Sequence, residues 1–251
     1  MEITDIHCHI LPGMDDGAKD EEESLALVRM AWEQGVEAFI ATPHYSRQFR
    51  NDCPERIREK CEKLEKEARE TIASEIRIYP GQEICWEESI PEKLDRGELL
   101  TLADSSYVLV EYLPSVSYGA LFRSLRTLRL EGYLPILAHA ERYGALRTEG
   151  LEELTEAGVC IQMNYGSIGT SLFDKDQRWC RKQLKEGNIH FLGTDMHSVH
   201  RRPPRVAEAM KWLETHLNGE ELSRICRDHA GQVLTNQNLE RGYIRDGKKT
   251  E

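Results

Sequence analysis

DIHCHILPGMDDG, residues 5–17, closes an apolar run with two histidines one residue apart and places two aspartates beyond a Pro-Gly turn. Alternate residues of a strand share a face, so His7 and His9 point together while Cys8 points away. The pair can chelate one ion. Two surface histidines would read the same way, so the motif alone decides nothing. The rest of the chain repeats the design. Apolar runs that read as buried strands occur at Ile3–His7, Glu37–Thr42, Ile76–Pro80, Tyr107–Glu111, Leu134–His139, Val159–Met163 and Ile189–Gly193.

Helical patterns lie between these runs. Ile57, Cys61, Leu64, Ala68 and Ile72 follow Pro54, while Leu25, Val28 and Trp32 follow the acidic DEEES and stop at Gly35. Two further helices are expected near Val206–Leu217 and Glu220–His229, ahead of a polar tail, about residues 236–251, expected to be loose. Strand alternating with helix implies a parallel sheet. Seven units suit a barrel one unit short of eight, although an open doubly wound sheet fits the pattern almost as well. Chemistry decides between them. In parallel α/β folds, functional groups collect at the carboxyl ends of the strands. His7 and His9 end the first run, His44 follows the second, Glu83 the third, Glu111 ends the fourth, His139 the fifth, and Asp195 and His197 follow the seventh. A closed barrel gathers them around one axis, and it is the expected fold.

Each such residue has an ordinary reading as a cap or a satisfied polar group. Together they do not, because unpaired carboxylates beside apolar strands such as YVLVE cost several kcal/mol, and a shared cation removes that cost.

Composition narrows the function. The 251 residues carry 33 Lys and Arg against 44 Asp and Glu, a net charge of −11, which disfavours nucleic acid as a partner. No apolar run approaches a membrane span and no signal segment follows Met1, so one cytoplasmic domain over residues 1–251 is expected. Seven cysteines without a Cys-x-x-Cys pair suggest reduced, mostly buried thiols. P-loop and dinucleotide fingerprints are absent. A cysteine-dependent tyrosine phosphatase needs an arginine six residues after its nucleophile. The residues found there are Met14, Glu59, Glu67, Pro91, Gly166, Glu186 and Gln232.

DIHCHILPGMDDGA, ATPHYS, GQE, LVEYLP, HAERY and GTDMHS followed by RRPP resemble the polymerase and histidinol phosphatase superfamily over nearly the whole chain. Within it they are most similar to the manganese-dependent bacterial protein-tyrosine phosphatases of capsule and exopolysaccharide operons. The resemblance implies a distorted seven-stranded α/β barrel with three divalent ions, manganese first, with iron, zinc or magnesium as alternatives. Its implied ligands are His7, His9, Asp16, His44, Glu83, Glu111, His139, Asp195 and His197. Arg142 and Arg202 match arginines that hold the phosphoryl group. Asp16 is taken over Asp15, and Arg202 over Arg201, on alignment alone. The implied partner is the tyrosine-rich tail of a bacterial tyrosine autokinase. A small-molecule phosphomonoesterase, such as a histidinol-phosphate phosphatase, and a non-catalytic kinase-docking module are the alternatives.

Five imidazoles and four carboxylates without a thiolate form a hard to intermediate donor set, consistent with those metals. Two divalent cations would only neutralise the four carboxylates; three leave a net charge of +2, able to attract a phosphomonoester. The expected chemistry is metal-assisted hydrolysis without a protein nucleophile. No general acid is assigned, and the role of Asn164 is left open. Tyr45, Tyr112 and Tyr143 adjoin site residues, as pocket walls or as packing. His190, His200, His216 and His229 are read as structural or surface residues.

Overall fold

The computed structural model describes residues 2–147, 150–169, 171 and 173–239. Its element order begins with β1 (Ile3–Cys8), α1 (Glu21–Trp32), β2 (Val36–Ala41), β3 (His44–Tyr45) and α2 (Pro54–Thr71). Next come β4 (Arg77–Pro80), β5 (Glu83–Cys85), α3 (Ile90–Asp95), β6 (Tyr107–Glu111) and α4 (Tyr118–Leu130). Then follow β7 (Leu134–Leu137), α5 (Leu151–Glu156), β8 (Cys160–Asn164), α6 (Lys175–Lys185) and β9 (Phe191–Gly193). The helices α7 (Val206–His216), α8 (Gly219–Ser223) and α9 (His229–Leu234) come last, with a widened helical turn at Arg224–Asp228 joining α8 to α9.

Every strand pairing is parallel, in two sheets ordered β1-β2-β4 and β3-β5-β6-β7-β8-β9. The seven expected strands are therefore nine segments among the described residues. The second and third runs end at or just before Thr42–Pro43 and Gly81–Gln82, and beyond each a short segment outside the expected runs joins the other sheet. Pro43 has no N–H to continue a ladder, and Thr42 N donates instead to Cys8 O (2.9 Å). The end of β1 is linked to the chain just after β9: Asp195 N donates to His7 O (2.7 Å) and His9 N to Met196 O (3.0 Å). Strand-end residues of both sheets thus meet.

Local sequence explains the helices that position this end. Asp20 caps α1 by accepting from Glu23 N (2.9 Å), with Glu21–Glu23 in the first turn where the helix dipole favours acidic groups. The buried stripe of α1 is Ser24, Leu27, Val28 and Ala31, whereas the expected Leu25 is only partly buried and Trp32 is exposed. Both sets have spacings of three and four residues and share Val28, so period alone does not choose between them; the packing against the core does. In α2, Pro54 opens the helix and Ile57, Cys61, Leu64 and Ala68 are buried as expected, with Ile72 at its end.

At the far end, Asn236–Leu239 are tied down. Ser106 N donates to Asn236 Oδ1 (2.8 Å), and the Tyr107 hydroxyl donates to Gln237 O (2.9 Å) and accepts from Leu239 N (3.1 Å). The remainder of the expected loose tail, 240–251, lies outside the described residues. No helix among the described residues is long and apolar enough to cross a membrane. All seven cysteines are free, with Cys53 exposed, Cys85 half-buried and the rest buried.

Candidate metal centre

All nine residues expected as ligands converge at the carboxyl ends of the strands. His7 Nε2 and His9 Nε2 lie 3.3 Å apart, and each is 3.3 Å from Glu83 Oε2. Asp195 Oδ1 stands 3.6 Å from His7, 3.5 Å from His9 and 3.5 Å from His197 Nδ1. His44 Nδ1 is 3.0 Å from Glu83 and 3.1 Å from Glu111, and His139 Nε2 is 2.7 Å from Glu83 Oε1. Asp16 completes the group from the open side, 3.5 Å from His44 Nε2 and 3.6 Å from His197 Nε2.

Four overlapping sets of donors have ligand atoms within 4.8 Å of one another: His9, His44 and His197; His7, His9 and Asp195; Asp15, Asp16 and His44; His44, Glu83 and Glu111. His44 Nδ1, Glu83 Oε2 and His197 Nε2 are buried without a hydrogen bond. Buried polar atoms normally find a partner. Here nitrogen and oxygen atoms of imidazoles and carboxylates face a common centre, which is the arrangement a hard cation satisfies.

The backbone is bent to achieve this. His139 (φ 31°) and Asp195 (φ 51°) adopt the left-handed region that side chains with a Cβ avoid, at a cost on the order of 1–3 kcal/mol each. That bend ends β7 at Leu137, two residues before His139, although the apolar run carries on to it. Gly17 answers a different constraint: a Cβ there would lie 2.3 Å from His9 O and 2.9 Å from Asp15 Oδ1. This accounts for the glycine of DDG.

The two aspartates of that motif divide their work. Asp15 is engaged by three donors, His9 Nδ1 (2.8 Å), His44 N (2.8 Å) and Gly17 N (2.9 Å). It orients His9 so that Nε2 faces the centre, while Asp16 keeps its carboxylate beside His44 and His197. Arg142 and Arg202 both pair with Asp195 Oδ2, whereas Arg201 is exposed.

Charge balance is shared unevenly. Burial disfavours a charged His7, yet Glu83 and Asp195 hold its pKa up at about 9. For His44 burial is likewise outweighed, by Glu83 and Glu111, and the group reaches about 11. His197 is pushed down by burial and by its neighbours His9 and Arg202. Burial would raise Glu83 and Asp195, but His7 and His44 beside the first, and His7 and Arg142 beside the second, hold both far below the usual carboxylate range. The cluster is a field of carboxylates that draws positive charge inward.

Three participants were not picked out from the sequence as site residues. Gln162 and Asn164, the first fully buried and the second nearly so, stand two apart on β8 and so share a face. Gln162 Oε1 accepts from His7 Nδ1 (3.1 Å) and from His139 N (2.7 Å), and Asn164 Nδ2 donates to Asp195 Oδ2 (2.8 Å). Asp5, buried and raised to about 6 by that burial, accepts from Thr194 Oγ1 (2.6 Å), Thr194 N (2.9 Å) and His7 N (3.2 Å). Alternation in IQMN and DIH was the available signal. Tyr45, Tyr112 and Tyr143 are buried packing residues; the Tyr143 hydroxyl accepts from Tyr112 N (3.0 Å) and lies 3.4 Å from His139 Nδ1.

Known proteins share this architecture. The chain is 35% identical over 245 residues to the tyrosine-protein phosphatase YwqE of Bacillus subtilis, covering 94% of this chain and 93% of that protein. It is 32% identical over 241 residues to the tyrosine-protein phosphatase CpsB of Streptococcus agalactiae serotype V, covering 93% and 99%. A chain from the crystal structures of YwqE from Bacillus subtilis and CpsB from Streptococcus pneumoniae, described as unique metal-dependent tyrosine phosphatases, superposes with a TM-score of 0.86. That match has 31% identity and covers 95% of this chain and 96% of the other. A phosphotriesterase homology protein from Escherichia coli (TM-score 0.58, 12% identity) shares the fold alone. Residues 3–235 match the family model for capsular polysaccharide synthesis, CpsB/CapC. With nearly the full chain covered in each comparison, the protein belongs to the CpsB/CapC family of capsular polysaccharide synthesis.

Proposed function

We propose that this chain is a metal-dependent protein-tyrosine phosphatase acting in the cytoplasm on the tyrosine-rich tail of an autokinase that controls capsule or exopolysaccharide synthesis. The observation that carries the reading is the convergence of nine imidazoles and carboxylates beside two arginines, in a chain at least 30% identical to named tyrosine phosphatases. The proposed ligands are His7, His9, Asp16, His44, Glu83, Glu111, His139, Asp195 and His197, for three divalent ions, manganese first. The fold is read as one distorted seven-unit α/β barrel domain, β2 with β3 and β4 with β5 being halves of broken strands. The ordering of β1-β2-β4 and β3-β5-β6 supports that count.

When bound, the metal ions supply Lewis acidity and activate water for attack on phosphorus. The protein's own groups do the rest. Asp195 Oδ2 holds both guanidinium groups at the rim, where their paired N–H donors can meet equatorial phosphoryl oxygens. Tyrosine leaves as a phenolate of pKa about 10, so a protein acid matters less than it would for a serine ester. Burial raises the thiols of Cys8, Cys61, Cys85, Cys160, Cys180 and Cys226, which speaks against a thiolate nucleophile. Cys8 Sγ donates to Ile40 O (3.4 Å), away from the ligand histidines.

A cavity of about 750 Å³ opens beside Arg142, walled by Pro114, Gly144, Arg147, Ser167 and Asp174. That room can take the residues flanking a phosphotyrosine. The test offers phosphotyrosyl peptide, its phosphoserine counterpart and histidinol phosphate to the purified protein, with and without manganese and after chelation. Turnover of the phosphotyrosyl peptide that chelation abolishes and manganese restores is expected. Equal turnover of all three, or activity undiminished by chelator in metal-free protein, would defeat the reading.

A further inference from the structure

Resting on the metal-centre reading, we infer that Gln162 and Asn164 form a one-way hydrogen-bond relay that keeps the proton on His7 Nδ1, leaving Nε2 as the nitrogen an ion takes, and sets the orientation of Asp195. The direction is fixed from both ends. At one end His139 N, a backbone donor, lies 2.7 Å from the Gln162 side chain, so the atom there is the carbonyl oxygen Oε1. His7 Nδ1, 3.1 Å from the same oxygen, can only meet it as a donor. His7 therefore keeps a proton on Nδ1 and turns Nε2 toward Glu83 and Asp195, so that Nε2 is the nitrogen whose proton an ion displaces.

The amide nitrogen of Gln162 then points the other way and donates to Asn164 Oδ1 (2.9 Å). That leaves Asn164 Nδ2 to donate to Asp195 Oδ2 (2.8 Å), an acceptor by its charge. Backbone donor and carboxylate demand the same polarity of the chain, so no amide is misdirected. Space is reserved for it: a Cβ at Gly193 would lie 2.7 Å from His7 Cβ and 3.0 Å from Gln162 Nε2. Two candidate ligands 188 positions apart in sequence, His7 and Asp195, are aimed by one strand. Gln162 and Asn164 are positioning residues.

The experiment has two readouts besides turnover. Competition with a chelator should show Gln162→Leu binding manganese or zinc about 10- to 100-fold more weakly than wild type, the range for loss of a group that orients a ligand histidine. Nitrogen-15 spectra of the protein loaded with diamagnetic zinc should show wild-type His7 protonated at Nδ1, with that signature lost in Gln162→Leu. Gln162→Glu keeps an acceptor for His7 and His139 but cannot donate to Asn164, so it should retain the His7 signature with an intermediate loss of affinity. Asn164→Leu should weaken binding while leaving the His7 signature intact, and it stands in should Gln162→Leu not fold. Unchanged affinity in both leucine variants, or wild-type His7 protonated at Nε2, would overturn the relay alone. A wild type that binds no divalent ion removes the metal centre and the relay together.

Discussion

Histidines occupy both ends of these strands, and His7 and His44 at one end behave oppositely to His190 and His229 at the other. At the carboxyl ends of the strands, His7 and His44 sit among Glu83, Glu111 and Asp195, and their pKa values stand at about 9 and about 11. At the opposite end, His190 Nδ1 accepts from Ile161 N (3.1 Å) and His229 Nδ1 donates to His190 O (2.7 Å). Burial, with a smaller push from His229, lowers His190 to about 3; burial likewise lowers His229. Residue type is alike, and His7 lies as deep as His190, with His44 only partly buried. Carboxylate neighbours make one end a site for cations, while backbone partners make the other a neutral structural joint.

The largest effect should come from breaking the charged end. Asp195→Ala removes a candidate ligand and the shared partner of Arg142 and Arg202. Turnover is expected to fall by about 10⁴ or more, as when one member of a catalytic unit is lost. Elemental analysis should show fewer ions per chain, and circular dichroism a folded protein. Full activity in this variant would end the comparison.

A smaller loss should sharpen what the arginines do. Arg202→Ala should lower kcat on phosphotyrosyl peptide by about 10², by analogy with removal of one oxyanion donor, with bound metal unchanged. Arg202→Lys should recover little, because an ammonium lacks the planar fork. Steady-state kinetics decide it, and an unchanged kcat would place Arg202 outside the clamp.

The smallest effect belongs to the neutral end. Its folded pKa is below the ordinary value of 6.5, so between about 6.5 and 3 the unfolded chain binds a proton that folded His190 does not. Stability from this group is therefore present above pH 6.5 and lost as pH falls. His190→Asn keeps an acceptor for Ile161 N and should flatten the fall in Tm between pH 6.5 and 5 relative to wild type. Parallel pH profiles for the two proteins would show that His190 titrates alike in both states.

What could be read from the chain was local. A period of two places His7 and His9 on one face, apolar runs stop where carboxylates and histidines begin, and the order strand, helix, strand carries those stops to one rim. Eight of the nine expected ligands follow from that grammar, Asp16 follows only from the family resemblance, and all nine meet. Gln162 escaped that grammar because an uncharged amide looks like an ordinary strand residue, and Asn164, noted at its strand end, had no readable role; only their partners on β1, β9 and the turn after β7 give them a direction.

The choice between Asp15 and Asp16 was likewise beyond the chain alone. Adjacent residues of one type differ only in what lies across from them, and His9 and the His44 amide come from separate elements. The split of two strands at Thr42–Pro43 and Gly81–Gln82 depends on which sheet each half can pair with. Periodicity and end groups are properties of neighbours along the chain, so sequence alone determined the candidate donors at the strand ends and their common rim. Pairing, tautomer and charge balance are properties of neighbours across space, and only the tertiary structure decided those.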